Sequence, residues 1–179
     1  FSPEESLEQM LETALHVATT GISDAGLSDT VSIVASLPPL NASYDHTVAP
    51  DFESAYSQYR ELVGLQKARV DAFLLETMSN IAEASAGAKA LRDEGVMGAV
   101  AFTVNDSDAS VLRSGESLEE AIEAVMPFAP DVILINCSIP EMVTEGLKIV
   151  AKSGVRFGGY ANGFTLSLIH ISEPTRRLV

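Results

Sequence analysis

The feature that most constrains the fold is a regular alternation of apolar, β-branched runs with amphipathic helical segments. Apolar residues that fill both faces of a strand require covering layers on both faces, and strands joined through single helices pair in parallel. The sequence therefore predicts an α/β domain around a parallel sheet. Its five predicted strands cover residues 31–35, 72–76, 96–104, 132–136 and 155–162.

Start and stop signals place the helices between these strands. Capping boxes at Ser2 and Ser117 and a proline at Pro140 mark three helix starts, and Gly95 ends another helix. The predicted helices begin near residues 2, 52, 81, 118 and 140, and the first runs to about residue 19.

Two architectures fit this alternation, a doubly wound sheet and part of a (β/α)8 barrel. A doubly wound sheet more often has a glycine-rich phosphate loop after its first strand, and the sequence shows none. In a barrel, polar residues at the carboxyl ends of successive strands converge on one mouth. The prediction is a partial (β/α)8 barrel with about five of the eight βα units. The strand-end residues that favour it are Ser36, Glu76, Thr103, Asn136 with Cys137, and Asn162.

Charge and composition exclude several classes of partner. A net charge of −14 argues against binding to nucleic acid or to an anionic membrane surface, because both need a basic footprint. No apolar run reaches the roughly 20 residues that span a bilayer. A single cysteine cannot form an internal disulfide, so a reducing compartment is expected. We therefore expect a cytoplasmic protein.

Two side chains at strand ends could support chemistry. Cys137 stands where a buried strand emerges into a loop, although free cysteine is often a small buried hydrophobe. Glu76 ends an apolar strand with no cationic neighbour in sequence, so a substrate ammonium group, a metal or a distant Lys or Arg must compensate it. Asn162 precedes Gly163, and a turn residue is the simpler interpretation of it.

A set of short motifs at the strand ends is more specific. In order and spacing it resembles the homocysteine S-methyltransferase family. The resemblance implies a zinc-dependent (β/α)8 barrel that transfers a methyl group from a small sulfonium or quaternary ammonium donor to homocysteine, giving methionine. The motifs are SLPPL at 36–40, LLETM at 74–78, AFTV at 101–104, INC at 135–137 and YANGF at 160–164.

The resemblance also implies roles for individual residues. Cys137 matches the first of three zinc-binding cysteines, and Glu76 matches the acid that holds the amino group of homocysteine. Asn136, Thr103 and Asn162 match positions that line the same pocket. Zinc would deprotonate the substrate thiol and leave it nucleophilic. The other two cysteines of the family form an adjacent pair after two glycines, and this sequence contains neither.

Two segments are expected to differ in origin. Residues 1–165 are expected to form the partial barrel, without the first strand of the family. Residues 166–179 are expected to be a non-native tail, because LSLIHISEPTR resembles translated adapter sequence from a sequencing library. A chain with one of three zinc cysteines is expected to be inactive alone.

Two other functions also fit the residues. One is a different (β/α)8-barrel enzyme in which Glu76 is a general base and Cys137 is structural. The other is a barrel domain that binds a small metabolite without transforming it.

Overall fold

The computed structural model describes residues 6–163 of the 179-residue chain. Within that range, helices and strands alternate as the sequence predicts. The elements are α1 (Leu7–Asp24), β1 (Val34–Leu37), α2 (Phe52–Gln66), β2 (Ala72–Met78), α3 (Ile81–Asp93), β3 (Gly98–Phe102), α4 (Leu118–Val125), β4 (Val132–Asn136), α5 (Pro140–Val150) and β5 (Arg156–Tyr160). The predicted tail, residues 166–179, lies outside the described residues.

The five strands form one parallel sheet in the order β1-β2-β3-β4-β5. Spatial order thus follows chain order, without the reversal that creates the switch point of a doubly wound sheet. The prediction of a partial barrel is confirmed over the doubly wound alternative.

The helices cover one face of the sheet. α2 contacts α3, α3 contacts α4, and α4 contacts α5, so successive helices are neighbours in one layer. Side chains alternate along a strand, and those directed at the helices, such as Leu75, Phe102 and Ile133, are fully buried. On the opposite face Val34 is 53% exposed. Helices outside and an uncovered inner face are the arrangement of a barrel segment.

Several element boundaries differ from the sequence prediction, most clearly those of α1 and β1. The predicted capping box at Ser2 lies outside the described residues, and Ser6 caps α1, exchanging hydrogen bonds with Gln9. The helix continues past Thr19, whose hydroxyl bonds to the Leu15 carbonyl within the helix. β1 starts three residues late because the N–H of Val31 is held in a turn by the Leu27 carbonyl.

Other predicted boundaries hold closely. β4 has the predicted bounds, and α5 begins at Pro140 as expected. Ser117 caps α4 by accepting the N–H of Glu120. None of the helices within residues 6–163 is both long and apolar enough to cross a lipid bilayer.

Candidate functional site

The carboxyl ends of four strands are joined by hydrogen bonds around one carboxylate. Ser36 of β1 donates to Oε1 of Glu76 at the end of β2. Tyr160 of β5 donates to Oε2 of Glu76 at 3.2 Å. Asn136 of β4 in turn donates through Nδ2 to the Tyr160 hydroxyl at 2.9 Å. The barrel topology thus gathers side chains that are up to 124 positions apart in sequence.

Glu76 has no cationic partner among residues 6–163, where the salt bridges involve other acids. Its side chain is partly exposed, and both oxygens accept from neutral hydroxyls. Burial, followed by the charge of Glu76, raises the pKa of the Tyr160 phenol. Tyr160 therefore remains a neutral donor at physiological pH. Within residues 6–163, both oxygens of Glu76 are thus bonded to hydroxyls and to no cation.

Cys137 directly follows β4, in a left-handed backbone conformation with φ of 50°. Thr77 has φ of 62° and Tyr44 has φ of 71°. Such values are uncommon for non-glycine residues, and a β-branched threonine in this region is an outlier. Thr77 Oγ1 lies 3.3 Å from the sulfur of Cys137. Backbone strain of this kind clusters at active sites and ligand clamps, and here three such residues belong to one site.

Cys137 is partly exposed, whereas Asn136, Thr77 and Thr103 beside it are buried. Asn136 Nδ2 lies 3.3 Å from the sulfur, and Asn136 Oδ1 accepts the N–H of Thr77 at 3.2 Å. The Cys137 N–H donates to the Tyr160 carbonyl at 3.2 Å. Thr103 donates through Oγ1 to the Cys137 carbonyl at 3.2 Å.

The four side chains predicted to bind substrate fall into two groups. Asn136 and Thr103 are 0% exposed and bonded to protein partners, so they orient the strand ends. Glu76 and Asn162 are partly exposed. Asn162 donates through Nδ2 to the Tyr44 hydroxyl at 3.4 Å. The structure therefore brings all four to the edge that holds Cys137, and their roles towards substrate stay predictions.

Arg113 is a residue that sequence reasoning missed. It lies in the loop between β3 and α4, and its guanidinium stands 5.1 Å from the ring centroid of Tyr44. It also donates to Thr103 and to the Cys137 carbonyl. The signal available in the sequence was a single arginine in a loop rich in Asp and Ser.

The loop from Pro38 to Tyr44 is anchored at its base by a buried acid. Glu83 of α3 is 2% exposed, and its Oε1 accepts the N–H of Leu40 at 2.8 Å. The Tyr59 hydroxyl donates to the Pro38 carbonyl at 3.0 Å and lies 3.3 Å from Glu83. Burial, followed by the charge of Glu83, raises the pKa of Tyr59. In the sequence, the only signal for Glu83 is that it follows Asn80, the N-cap residue of α3, at the spacing of a capping pair.

The donor set does not fit a complete zinc site. Structural and catalytic zinc sites use at least three protein ligands. Over residues 6–163 no group of three or more His, Cys, Asp or Glu side chains is placed to hold a metal ion. Cys137 is the one cysteine of the sequence.

A barrel-type sheet with strained, polar strand ends gathered at its carboxyl edge defines the class of (β/α)8-barrel enzymes. The chain belongs to the homocysteine S-methyltransferase family, whose sequence model matches residues 1–174. It is therefore a methyltransferase of that family, and the resemblance inferred from the sequence motifs is confirmed.

Solved structures agree on the fold. The chain is similar to the homocysteine methyltransferase MmuM from Escherichia coli. The apo form gives a TM-score of 0.63 at 16% identity, covering 92% of this chain and 73% of MmuM. The metallated form gives 0.66 at 17% identity, covering 94% and 69%. A comparison with curated proteins gives no match.

Proposed function

We propose that this chain binds homocysteine at the carboxyl edge of the sheet. The reaction proposed for this site is transfer of a methyl group to the homocysteine thiol from a sulfonium or quaternary ammonium donor, giving methionine. The chain alone is expected to be inactive, because it contains one of the three zinc cysteines of the family. The observation that carries the proposal is Glu76, a carboxylate on the edge that holds Cys137. It is held by Ser36 and Tyr160 and has no cationic partner within residues 6–163.

Glu76 is proposed to bind the α-ammonium group of homocysteine. The hydroxyls of Ser36 and Tyr160 fix both carboxylate oxygens, so little side-chain freedom is lost when the ammonium arrives. A charge-assisted hydrogen bond of this type contributes roughly 1.5–3 kcal/mol. With the ammonium at Glu76, the thiol of the substrate is directed towards Cys137 along the hydrogen-bonded path through Tyr160 and Asn136.

The reaction needs no oxidant or reductant. A bond forms between the homocysteine sulfur and the methyl carbon as the bond from that carbon to the donor sulfur or nitrogen breaks. The donor leaves as a neutral sulfide or amine, and the thiol proton is released. Such a displacement depends on in-line alignment and on exclusion of water. An unperturbed thiol has a pKa of about 8.5 and is mostly protonated at neutral pH.

Asn136, Thr103 and Asn162 are proposed to shape this pocket. Asn136 bonds to Tyr160, Thr77 and the Cys137 thiol, so it sets the position of Cys137 relative to Tyr160. Thr103 holds the Cys137 carbonyl. Asn162 holds Tyr44, and its partly exposed side chain also faces incoming substrate.

Zinc belongs to the proposal only through Cys137. We propose that this thiolate is one zinc ligand, as the family resemblance implies. A three-thiolate site needs two ligands that this sequence does not contain, so no step is assigned to the metal.

Isothermal titration of the chain with homocysteine under reducing conditions tests the proposal. Glu76→Gln should weaken binding by about 10- to 150-fold, which corresponds to the loss of 1.5–3 kcal/mol. Glu53→Gln, on the exposed first turn of α2, makes the same change in charge and should leave affinity unchanged. Equal affinity of the Glu76→Gln variant and the unsubstituted chain would refute the assignment.

A further inference from the structure

We infer that Arg113 is a positioning residue that holds Cys137 and Tyr44 in their left-handed backbone conformations. Its importance for methyl transfer rests on the proposed function, whereas the conformations themselves can be tested without substrate. Arg113 lies in the loop between β3 and α4, outside the strand-end motifs.

Among residues 6–163, the Arg113 guanidinium contacts residues of the site and its counter-ion Asp106. Nε donates to Thr103 Oγ1 at 3.2 Å, and Nη2 donates to the Cys137 carbonyl at 3.4 Å. Nη2 also pairs with Asp106 Oδ1 at 3.0 Å. The plane stands over the Tyr44 ring at 5.1 Å. Only 11% of the side chain is exposed, so these contacts are shielded from competing water.

The bond from Arg113 to Thr103 also limits where the hydrogen of the Thr103 hydroxyl can point. The Thr103 hydroxyl has one hydrogen and two nearby acceptors, the Cys137 carbonyl and Ser138 Oγ, each at 3.2 Å. Because the oxygen of Thr103 accepts from Arg113, its hydrogen must point elsewhere. Arg113 therefore holds the Cys137 carbonyl directly and also bonds to Thr103, the second donor beside it.

These contacts of Arg113 offset the energetic cost of a left-handed backbone conformation. A left-handed conformation is unfavourable for a non-glycine residue, and it persists only where the surroundings over-determine it. At Cys137 the carbonyl is held by Arg113 and Thr103. At Tyr44 the ring is held by Arg113 and the hydroxyl by Asn162. One planar guanidinium thus serves both strained residues.

Arg60 provides a matched control. It too pairs with an acid, Glu94 at 2.7 Å, and lies over a tyrosine ring, Tyr56 at 5.8 Å. It stands on the outer helix α2, and its side chain is 50% exposed. Loss of a cation, an ion pair and a cation–π contact is therefore common to both substitutions, and only Arg113 reaches Cys137.

The test is NMR of the chain labelled with ¹³C and ¹⁵N at cysteine, which yields signals from Cys137 alone. Arg113→Met should move the Cα and Cβ shifts of Cys137 away from left-handed values, whereas Arg60→Met should leave them unchanged. Arg113→Lys should behave like Arg113→Met, because an ammonium lacks the planar fork. The spectra are recorded without homocysteine, so a failure of the proposed function does not affect the result.

Unchanged Cys137 shifts in Arg113→Met would overturn the assignment of Arg113. Full recovery of the shifts in Arg113→Lys would also overturn it, because charge alone would then suffice. If circular dichroism shows that Arg113→Met does not fold, Arg113→Gln is the second variant, and the same displacement of the shifts is required of it.

Discussion

Replacing Asn136 with alanine should destabilise the fold more than any other single change at the strand ends. Asn136 is 0% exposed, and its side chain joins β4 to β2 and to β5. Its Oδ1 accepts the N–H of Thr77 at 3.2 Å, and its Nδ2 donates to the Tyr160 hydroxyl at 2.9 Å. Alanine removes both bonds and offers nothing in their place.

The magnitude follows from burial. Thr77 is 5% exposed, so its N–H would lose its acceptor in a place that water reaches poorly. An unsatisfied buried donor costs roughly 1–3 kcal/mol, and the second lost hydrogen bond adds about 1 kcal/mol. The free energy of unfolding should therefore fall by about 2–4 kcal/mol. With an m-value of about 2 kcal/mol/M, the urea midpoint should fall by about 1–2 M.

Urea denaturation followed by circular dichroism measures this change. Asn41→Ala is the matched control, because Asn41 is exposed and its Nδ2 also bonds a carbonyl, that of Val48 at 2.6 Å. Its midpoint should move by no more than about 0.5 M, as expected for a loss of at most about 1 kcal/mol. If the urea midpoint of Asn136→Ala shifts no further than that of Asn41→Ala, the inference that Asn136 holds the strand ends together is refuted.

Further substitutions test the packing around the site. Glu83→Ala should lower the free energy of unfolding by about 2–3 kcal/mol in urea, because the Leu40 N–H loses its acceptor; an unchanged midpoint would contradict this. Gly159→Ala should cost about 1–3 kcal/mol, since an added Cβ would lie 2.7 Å from the Ile135 carbonyl oxygen. By contrast Gly64→Ala, in open space on α2, should stabilise by about 0.5–1 kcal/mol, and the opposite order of the two glycine variants would refute the packing argument.

Much of the fold could be predicted because its signals are local. The apolar run of β4 and the proline that opens α5 each fix their element within a few residues. The barrel could be preferred to a doubly wound sheet because polar residues such as Glu76 recur at successive strand ends, and the strand order confirms that choice.

The details of the site could not be predicted because they depend on distant partners. Nothing local shows that Thr77 and Cys137 adopt left-handed backbones, since the contacts that hold them join β2 to β4. In the sequence Arg113 cannot be told from a solvated loop residue. Only the structure shows its contact with the Cys137 carbonyl. The sequence also does not show how exposed a side chain is. Fully buried Thr103 and partly exposed Glu76 are therefore both predicted to bind substrate.

The central claim is that homocysteine binds at the carboxyl edge of the sheet beside Cys137. The most direct measurement is a titration of homocysteine into the ¹³C-labelled chain, with a phosphine reductant present to prevent a mixed disulfide. We predict saturable changes in the signals of Glu76 and Cys137, with none at Gly98 and Asp131 on the opposite edge. Homoserine, which replaces the thiol with a hydroxyl, should bind through the same ammonium contact and change the Glu76 signal, with a smaller change at Cys137. Saturable binding that moves Gly98 and Asp131 while Cys137 stays still would contradict the account.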